Sequence, residues 1–282
     1  VASVDILDAC SRGGIPDRLN EDAFGAAGRF AWVIDGATGV GDVECLDGPS
    51  DAAWLSSTAS AVIAERIAAG TDDLPVLLDA TIRELADRFD REAVRRPKAR
   101  HQRPTGAILL ARFDDAGIDV IELGDCVLLA RGESGAFASV GLERAGREME
   151  QAAARRMREA GATVAHPEVR RRMQESRDRH NTDEGYWIFG LDPEAAQHAR
   201  RHRLDLPAPS VALLATDGFA SLFEDYGRYP PREALDLAVR DGLAPLCDEL
   251  RRIERDEDPD CLRYPRFKQS DDATALLVAT AP

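Results

Sequence analysis

Carboxylates stand at the ends of apolar runs at four separate places in this sequence. Asp35 closes Phe30-Ala-Trp-Val-Ile-Asp-Gly36, and Asp217 closes Leu213-Leu-Ala-Thr-Asp-Gly218. Glu21 and Asp22 follow Asn20, and Asp271-Asp272 lead into Ala-Thr-Ala-Leu-Leu-Val278. A buried strand that stops at a carboxylate on a glycine turn holds the oxygens rigidly at the rim of a core. One Asp-Gly turn after a strand is an ordinary structural feature. Repeated at distant positions, such acids suggest an oxygen-ligand site for Mg2+ or Mn2+. Buried carboxylates repel one another unless cations or hydrogen bonds compensate them. Two divalent ions bridged by one carboxylate meet that need, activate water and clamp phosphoryl oxygens opposite.

Little else competes for chemistry. Cys10, Cys45, Cys126, Cys247 and Cys261 show no short CxxC spacing, so structural zinc is not expected and the odd number suits a reducing compartment. Cys10, Cys126 and Cys247 read as buried small hydrophobes. His101, His166, His180, His198 and His202 lack zinc spacing and read as surface residues, with His101 or His180 able to approach a cleft. Gly13-Gly14 lacks the following Lys-Ser/Thr of a nucleotide loop.

The elements that must position these acids follow from periodicity. Strands are expected at Ser3–Cys10, Ala23–Ala27 and Phe30–Ile34, then a Gly/Asp-rich loop over Thr38–Pro49. A helix starts near Ser50 or Asp51 and runs towards Gly70; a second spans about Leu74–Val94 with Leu77, Leu78, Ile82, Leu85 and Phe89 on one stripe. Thr105–Phe113, Asp119–Leu123, Cys126–Arg131 and Ala136–Val140 read as a meander of short strands. Glu143–Ala160 reads as a charged surface helix. Tyr186–Phe189 reads as a strand and Pro193–His202 as a short helix. After the strand Val211–Thr216 come a helical turn, Phe219–Asp225, helices over Pro231–Asp241 and Leu243–Asp256, and a closing strand, Thr274–Thr280. The pattern predicts an α+β fold: a four-layer α/β/β/α sandwich with two central, mostly antiparallel sheets flanked by helices. One domain over 1–282 is expected, with a variable flap at about 161–190.

A chain of 282 residues, 44% apolar and 31% charged, can bury such a core. The net charge of -15 disfavours a nucleic-acid partner. No stretch is long and apolar enough to suggest a membrane partner, and no basic leader precedes an apolar run. Cytoplasmic residence is the expectation, with the start at Val1 read as loss of an initiator methionine. Nothing in the sequence specifies an oligomeric state.

The order and spacing of Asn20-Glu-Asp-Ala-Phe24, Val33-Ile-Asp-Gly36, Thr105-Gly-Ala107, Glu122-Leu-Gly-Asp125, Leu214-Ala-Thr-Asp-Gly218 and Asp271-Asp-Ala-Thr-Ala-Leu-Leu-Val278 resemble the metal-dependent serine/threonine phosphatases of the protein phosphatase 2C family. The resemblance spans nearly the whole chain and points to a divergent bacterial-type member. It implies that Asp35 bridges two Mg2+ or Mn2+ ions, with the Gly36 carbonyl on one of them. It implies that Asp217 and Asp271 hold the other ion. Glu21 and Asp22 then bind or orient metal waters, and Asp125 sits near an optional third ion. Direct attack of water on phosphorus, without a phosphoenzyme, is the implied reaction.

Several departures from the family pattern qualify this picture. Asp35-Gly-Ala-Thr-Gly39 lacks the histidine proposed as general acid in the family. Asp17 occupies the place of the phosphate-binding arginine and Arg18 lies one step nearer the glutamate, able to serve if the loop shifts. Ser221 stands where an acid often supports the third ion, and Cys126 replaces a serine as a packing change. Arg170, Arg171, Arg172, Arg177 and Arg179 precede an unusual Asn181–Gly190 segment. They form either a solvated connector, with Tyr186 and Trp187 in the core, or a basic flap in which Arg170, Arg171 and Arg172 bind substrate.

A phosphorylated protein is the expected substrate. A small phosphorylated metabolite, and a catalytically weak regulatory module that binds without turnover, are the alternatives.

Overall fold

The computed structural model describes residues 3–16, 18–41, 43–142 and 147–280. One strand, β3 (Phe30–Gly36), shows how the layers arise. Its Phe30, Trp32 and Ile34 pack with Leu55, Ile63, Leu77 and Leu78 of two helices, α1 (Asp51–Ala68) and α2 (Leu74–Glu92). Ala31 and Val33, out of phase by one residue, pack instead with Leu128, Leu214 and Leu276 of a second sheet. Successive side chains point to opposite faces of a strand, so a run apolar throughout requires cover on both. Each fully buried leucine here contributes about 1.5–3 kcal/mol.

The first sheet runs β2 (Ala23–Ala27), β3, β4 (Thr105–Asp114), β5 (Gly117–Leu123) and β9 (Arg200–Leu204), with a short β8 (Phe189–Gly190) paired to the start of β4. The second runs β1 (Val4–Arg12), β11 (Ala273–Thr280), β10 (Ser210–Ala215), β6 (Val127–Gly132) and β7 (Phe137–Val140). All of these pairings are antiparallel. The outer face of the second sheet, with Val127, Leu129, Leu213 and Leu277, packs with residues of α5 (Asp217–Glu224), α6 (Pro231–Asp241) and α7 (Ala244–Arg252). The result is the α/β/β/α sandwich expected from the sequence.

Several expectations are corrected. The meander is split: β4 and β5 pair in one sheet, β6 and β7 in the other. The chain therefore changes sheet at Gly124-Asp125-Cys126. Pro193–His202 is not one helix; a 3-10 turn ends at His198, and Arg200–Leu204 pairs with β5 as an edge strand. Its charged side chains suit an edge, and its backbone supplies the pairing. The 161–190 segment contains a capped helix, α4 (Pro167–Arg177), where no period was evident. Tyr186 is exposed rather than packed in the core, while Trp187 stacks on His198 at 3.6 Å. The strand expected at Tyr186–Phe189 shrinks to Phe189–Gly190.

The helix expected over Glu143–Ala160 is α3 (Arg147–Glu159), burying only Ala154 and Met157; 143–146 lie outside the described residues. His180 is buried, not on the surface. Cys10 and Cys247 are joined in a disulfide, not held as separate thiols, across a separation of 237 residues that no local pattern reveals. No helix among the described residues is long and apolar enough to cross a membrane.

Candidate metal centre

Strand parity carries the first acid into place. Asp35 shares the phase of Ala31 and Val33, so it continues their inter-sheet side just where β3 ends, opposite Ala107 in register. Asp125 enters from the sheet-changing corner after β5, and Asp217 opens α5 after β10. One carboxylate oxygen from each of Asp35, Asp125 and Asp217 lies within 4.8 Å of the others. Three elements distant in sequence thus meet at one rim of the inter-sheet core.

Glycines permit the approach. A Cβ on Gly36 would stand 2.3 Å from the Glu21 carbonyl oxygen. Gly124 has φ of +105°, and a Cβ there would meet Ala107 Cβ at 2.4 Å. Neither position accepts an ordinary L side chain without movement of backbone.

A hydrogen-bonded frame surrounds the triad. Asp22 Oδ2 accepts from Thr216 Oγ1 at 2.9 Å. Glu21 accepts from the hydroxyls of Thr38 and Ser50, the latter also the N-cap of α1. Asp272 accepts from the N–H groups of Gly14 at 2.8 Å and Glu21 at 2.7 Å, tying the loop after β1 to the start of β11. Asp271 is not part of the three-carboxylate cluster. Its Oδ1 accepts from Lys268 Nζ at 2.8 Å and from the Asp272 N–H at 3.0 Å. Behind it, Arg251 pairs with Glu254 at 2.6 Å and donates to the carbonyls of Arg12 and Asp271.

The electrostatics favour a cation. Burial pushes the Asp35 carboxyl well above the usual carboxylate range, and the charges of Asp217, Asp22 and Asp125 push it further. Burial does the same to Asp22, with Asp272 and Asp271 adding and the Thr216 and Thr274 hydroxyls opposing. Two carboxylates at such spacing repel by roughly 3–4 kcal/mol at an effective dielectric of about 20. Asp22 Oδ1 is buried and, among the described residues, has no hydrogen-bond partner. An all-oxygen donor set with excess negative charge and an orphaned acceptor fits a hard divalent ion. Burial also raises the Cys126 thiol well above its usual range, with Asp35 and Asp125 adding, so it is no nucleophile.

The basic candidates divide. Arg18 is exposed, and its N–H donates to the Ile15 carbonyl at 3.2 Å. Arg170 donates to the carbonyls of Val40 at 3.2 Å and Gly41 at 2.6 Å, and Gln174 to Val40 at 2.8 Å, which lays α4 on the 37–49 loop. Arg171 and Arg172 form exposed i,i+4 pairs with Glu175 and Glu168. His101, bonded to Asp178, lines a small cavity beneath this segment with Ala37, Gly39, Ala52 and Arg177. Sequence reasoning missed Lys268 and Arg251. Neither sits in a motif; Lys268 is revealed by its contacts with Asp271 and Thr38, and Arg251, on α7, by its bonds to the Arg12 and Asp271 carbonyls.

A family model described as protein phosphatase 2C matches residues 15–261. No curated protein sequence matches the chain. Among solved structures, the fold resembles the catalytic domain of the serine/threonine phosphatase PstP in complex with two manganese ions (16% identity, TM-score 0.54, 100% of each chain covered). It also resembles the PPM serine/threonine phosphatase MsPP of Mycobacterium smegmatis with cacodylate (16%, TM-score 0.52, 98% of this chain and 99% of that one). The photosystem II phosphatase PBCP is a third likeness (12%, TM-score 0.59, 99% of each).

Proposed function

The chain belongs to the protein phosphatase 2C family, and from that premise we propose that it hydrolyses phosphoserine and phosphothreonine in proteins with Mg2+ or Mn2+. The observation that carries this reading is the convergence of Asp35, Asp125 and Asp217 at the end of the inter-sheet core. In it, Asp35, the Gly36 carbonyl, Asp217 and Asp271 would hold two ions, and Asp125 would serve a third. When bound, the ions supply activated water and neutralise charge on the phosphoryl oxygens.

The chain's own groups do the rest. Thr38 and Ser50 fix the Glu21 carboxylate, and Thr216 fixes Asp22, so both acids can orient water at the site. Ala37 offers no proton, so the leaving oxygen is protonated from solvent held by these acids. Arg18 and Arg170 would contact substrate at the cleft edge. Arg171 and Arg172 would meet only a peptide segment running over the outside of α4. Cytoplasmic residence belongs to the same reading; the unpaired thiols of Cys45, Cys126 and Cys261 suit a reducing compartment, whereas the Cys10–Cys247 disulfide does not.

The test is an add-back assay: chelator-stripped protein with phosphopeptides and p-nitrophenyl phosphate, before and after Mn2+ or Mg2+. Metal-dependent hydrolysis of both is expected. Hydrolysis of phosphometabolites alone would replace the protein substrate with a small one. Tight phosphopeptide binding without turnover would make the chain a binding module.

A further inference from the structure

Lys268 is a cation that no motif marks. Its Nζ lies 2.8 Å from Asp271 Oδ1 and 3.1 Å from Thr38 Oγ1, and it stands within electrostatic reach of Asp35 and Asp217. Thr38 in turn donates to Glu21, so Lys268 links Asp271 before β11, through Thr38 after β3, to Glu21 ahead of β2 in one chain of contacts. An ammonium has three donors. Asp271 and Thr38 take two; among the described residues the third has no acceptor. Asp271 Oδ2 stays available to an ion while Oδ1 holds the lysine.

A phosphate monoester carries two negative charges, and a fixed ammonium beside the metals would add a charge-assisted hydrogen bond to its oxygens. Among the described residues, no other cation is held this close to the acids with a donor to spare. Arg251 is enclosed by Glu254 and two carbonyls, Arg170 grips the 37–49 loop, and Arg18 is exposed. Arg177 is half-buried and electrostatically close to Glu21, but the triad acids do not figure among the charges acting on it.

We propose that Lys268 is the residue that grips the substrate phosphate, its third N–H donating to a phosphoryl oxygen while Asp271 and Thr38 hold the ammonium in place. The proposal rests on the phosphatase reading, but its test reads binding of inorganic phosphate rather than turnover. Asp271 and Thr38 thereby become positioning residues for the lysine, in addition to any role towards metal.

The experiment is calorimetric titration of Mn2+-loaded protein with inorganic phosphate, and of metal-free protein with Mn2+, for wild type, Lys268→Met, Lys268→Gln and Lys268→Arg. Loss of a charge-assisted hydrogen bond corresponds to about 10- to 100-fold weaker phosphate binding. That loss is expected in K268M and K268Q, with Mn2+ affinity equal or tighter and K268R within about threefold of wild type. Unchanged phosphate affinity with tighter Mn2+ binding would overturn the proposal and leave Lys268 as an internal counter-ion of the acids. Parallel loss of Mn2+ and phosphate affinity would also overturn it, making the lysine a support of the acid frame. Should wild type bind phosphate through Lys268 yet hydrolyse nothing, the phosphatase reading fails and the anion site stands. K268Q keeps the test open if K268M does not fold.

Discussion

The Thr216 hydroxyl donates to the Asp22 carboxylate across 2.9 Å, joining residues 194 positions apart. The same oxygen accepts from the Thr274 N–H at 3.0 Å. One side chain therefore locks the β10–α5 junction to the entries of both β2 and β11. Asp217 is its immediate neighbour, so the lock also sets where that carboxylate meets Asp35.

Thr216→Val keeps the shape and removes both bonds, leaving the buried Asp22 with one donor fewer and the Thr274 N–H without its acceptor. A loss of about 1–3 kcal/mol in urea unfolding is expected, with weaker Mn2+ binding. Thr216→Ser should retain most of both. Equal behaviour of T216V and wild type in the two measurements would remove Thr216 from the frame.

Asp35→Asn removes the buried carboxylate on which the charges of Asp217, Asp22 and Asp125 all act. Calorimetric Mn2+ titration should lose its tight phase, and turnover of p-nitrophenyl phosphate should fall by at least about a hundredfold. Without metal the same variant should be more stable than wild type at neutral pH, because a buried repulsive charge is gone. Superimposable Mn2+ titrations would eliminate Asp35 as the bridge.

His180 supplies a pH dependence that does not involve the acids. Burial, helped by the Arg177 charge, lowers its pKa to about 4, and neither ring nitrogen has a partner among the described residues. A depressed folded pKa means the unfolded chain binds the proton first. Stability is therefore lost as pH falls from the unfolded value near 6.5 towards 4, by up to roughly 3 kcal/mol. In urea unfolding at pH 7 and pH 4.5, His180→Leu should lose less stability between the two than wild type does. NMR titration should keep the wild-type ring neutral at pH 5.5; an ordinary titration near 6.5 would contradict the burial.

The arginines of α4 should separate by position. Arg170→Ala frees the helix from the Val40 and Gly41 carbonyls, so KM for phosphopeptides should rise more than KM for p-nitrophenyl phosphate, which makes few remote contacts. Arg171→Ala with Arg172→Ala breaks only exposed i,i+4 pairs, worth about 0.3–0.5 kcal/mol each. Their double variant should melt like wild type. A larger phosphopeptide defect in that double variant than in R170A would move the substrate path to the outer face of the helix.

The sandwich and most of its acids were legible in the sequence because their signals are local. A strand buried on both sides must be apolar at consecutive positions, and a carboxylate followed by glycine breaks that run sharply. Asp35 and Asp217 carry that signature within six or seven residues, and Asp271 stands just ahead of such a run. Helix α2 is equally local, with a capping aspartate, Asp73, and an apolar stripe through Leu77, Leu78, Ile82, Leu85 and Phe89.

Tertiary structure decided what depends on residues distant along the chain. Strand β9 is Arg-Arg-His-Arg-Leu, without apolar alternation, and becomes a strand because the edge of β5 offers its backbone a partner. Helix α4 buries no residue fully, so no stripe announces it; its end cap and its bonds to the 37–49 loop hold it. The split of the expected meander turns on a left-handed glycine at the sheet-changing corner, and that split brings Asp125 to Asp35. Lys268 looks like any surface lysine until the fold sets it between Asp271 and Thr38, 230 residues away. Side-chain period is written in neighbouring residues, whereas the compensation of buried charge is settled only when distant segments share one low-dielectric space.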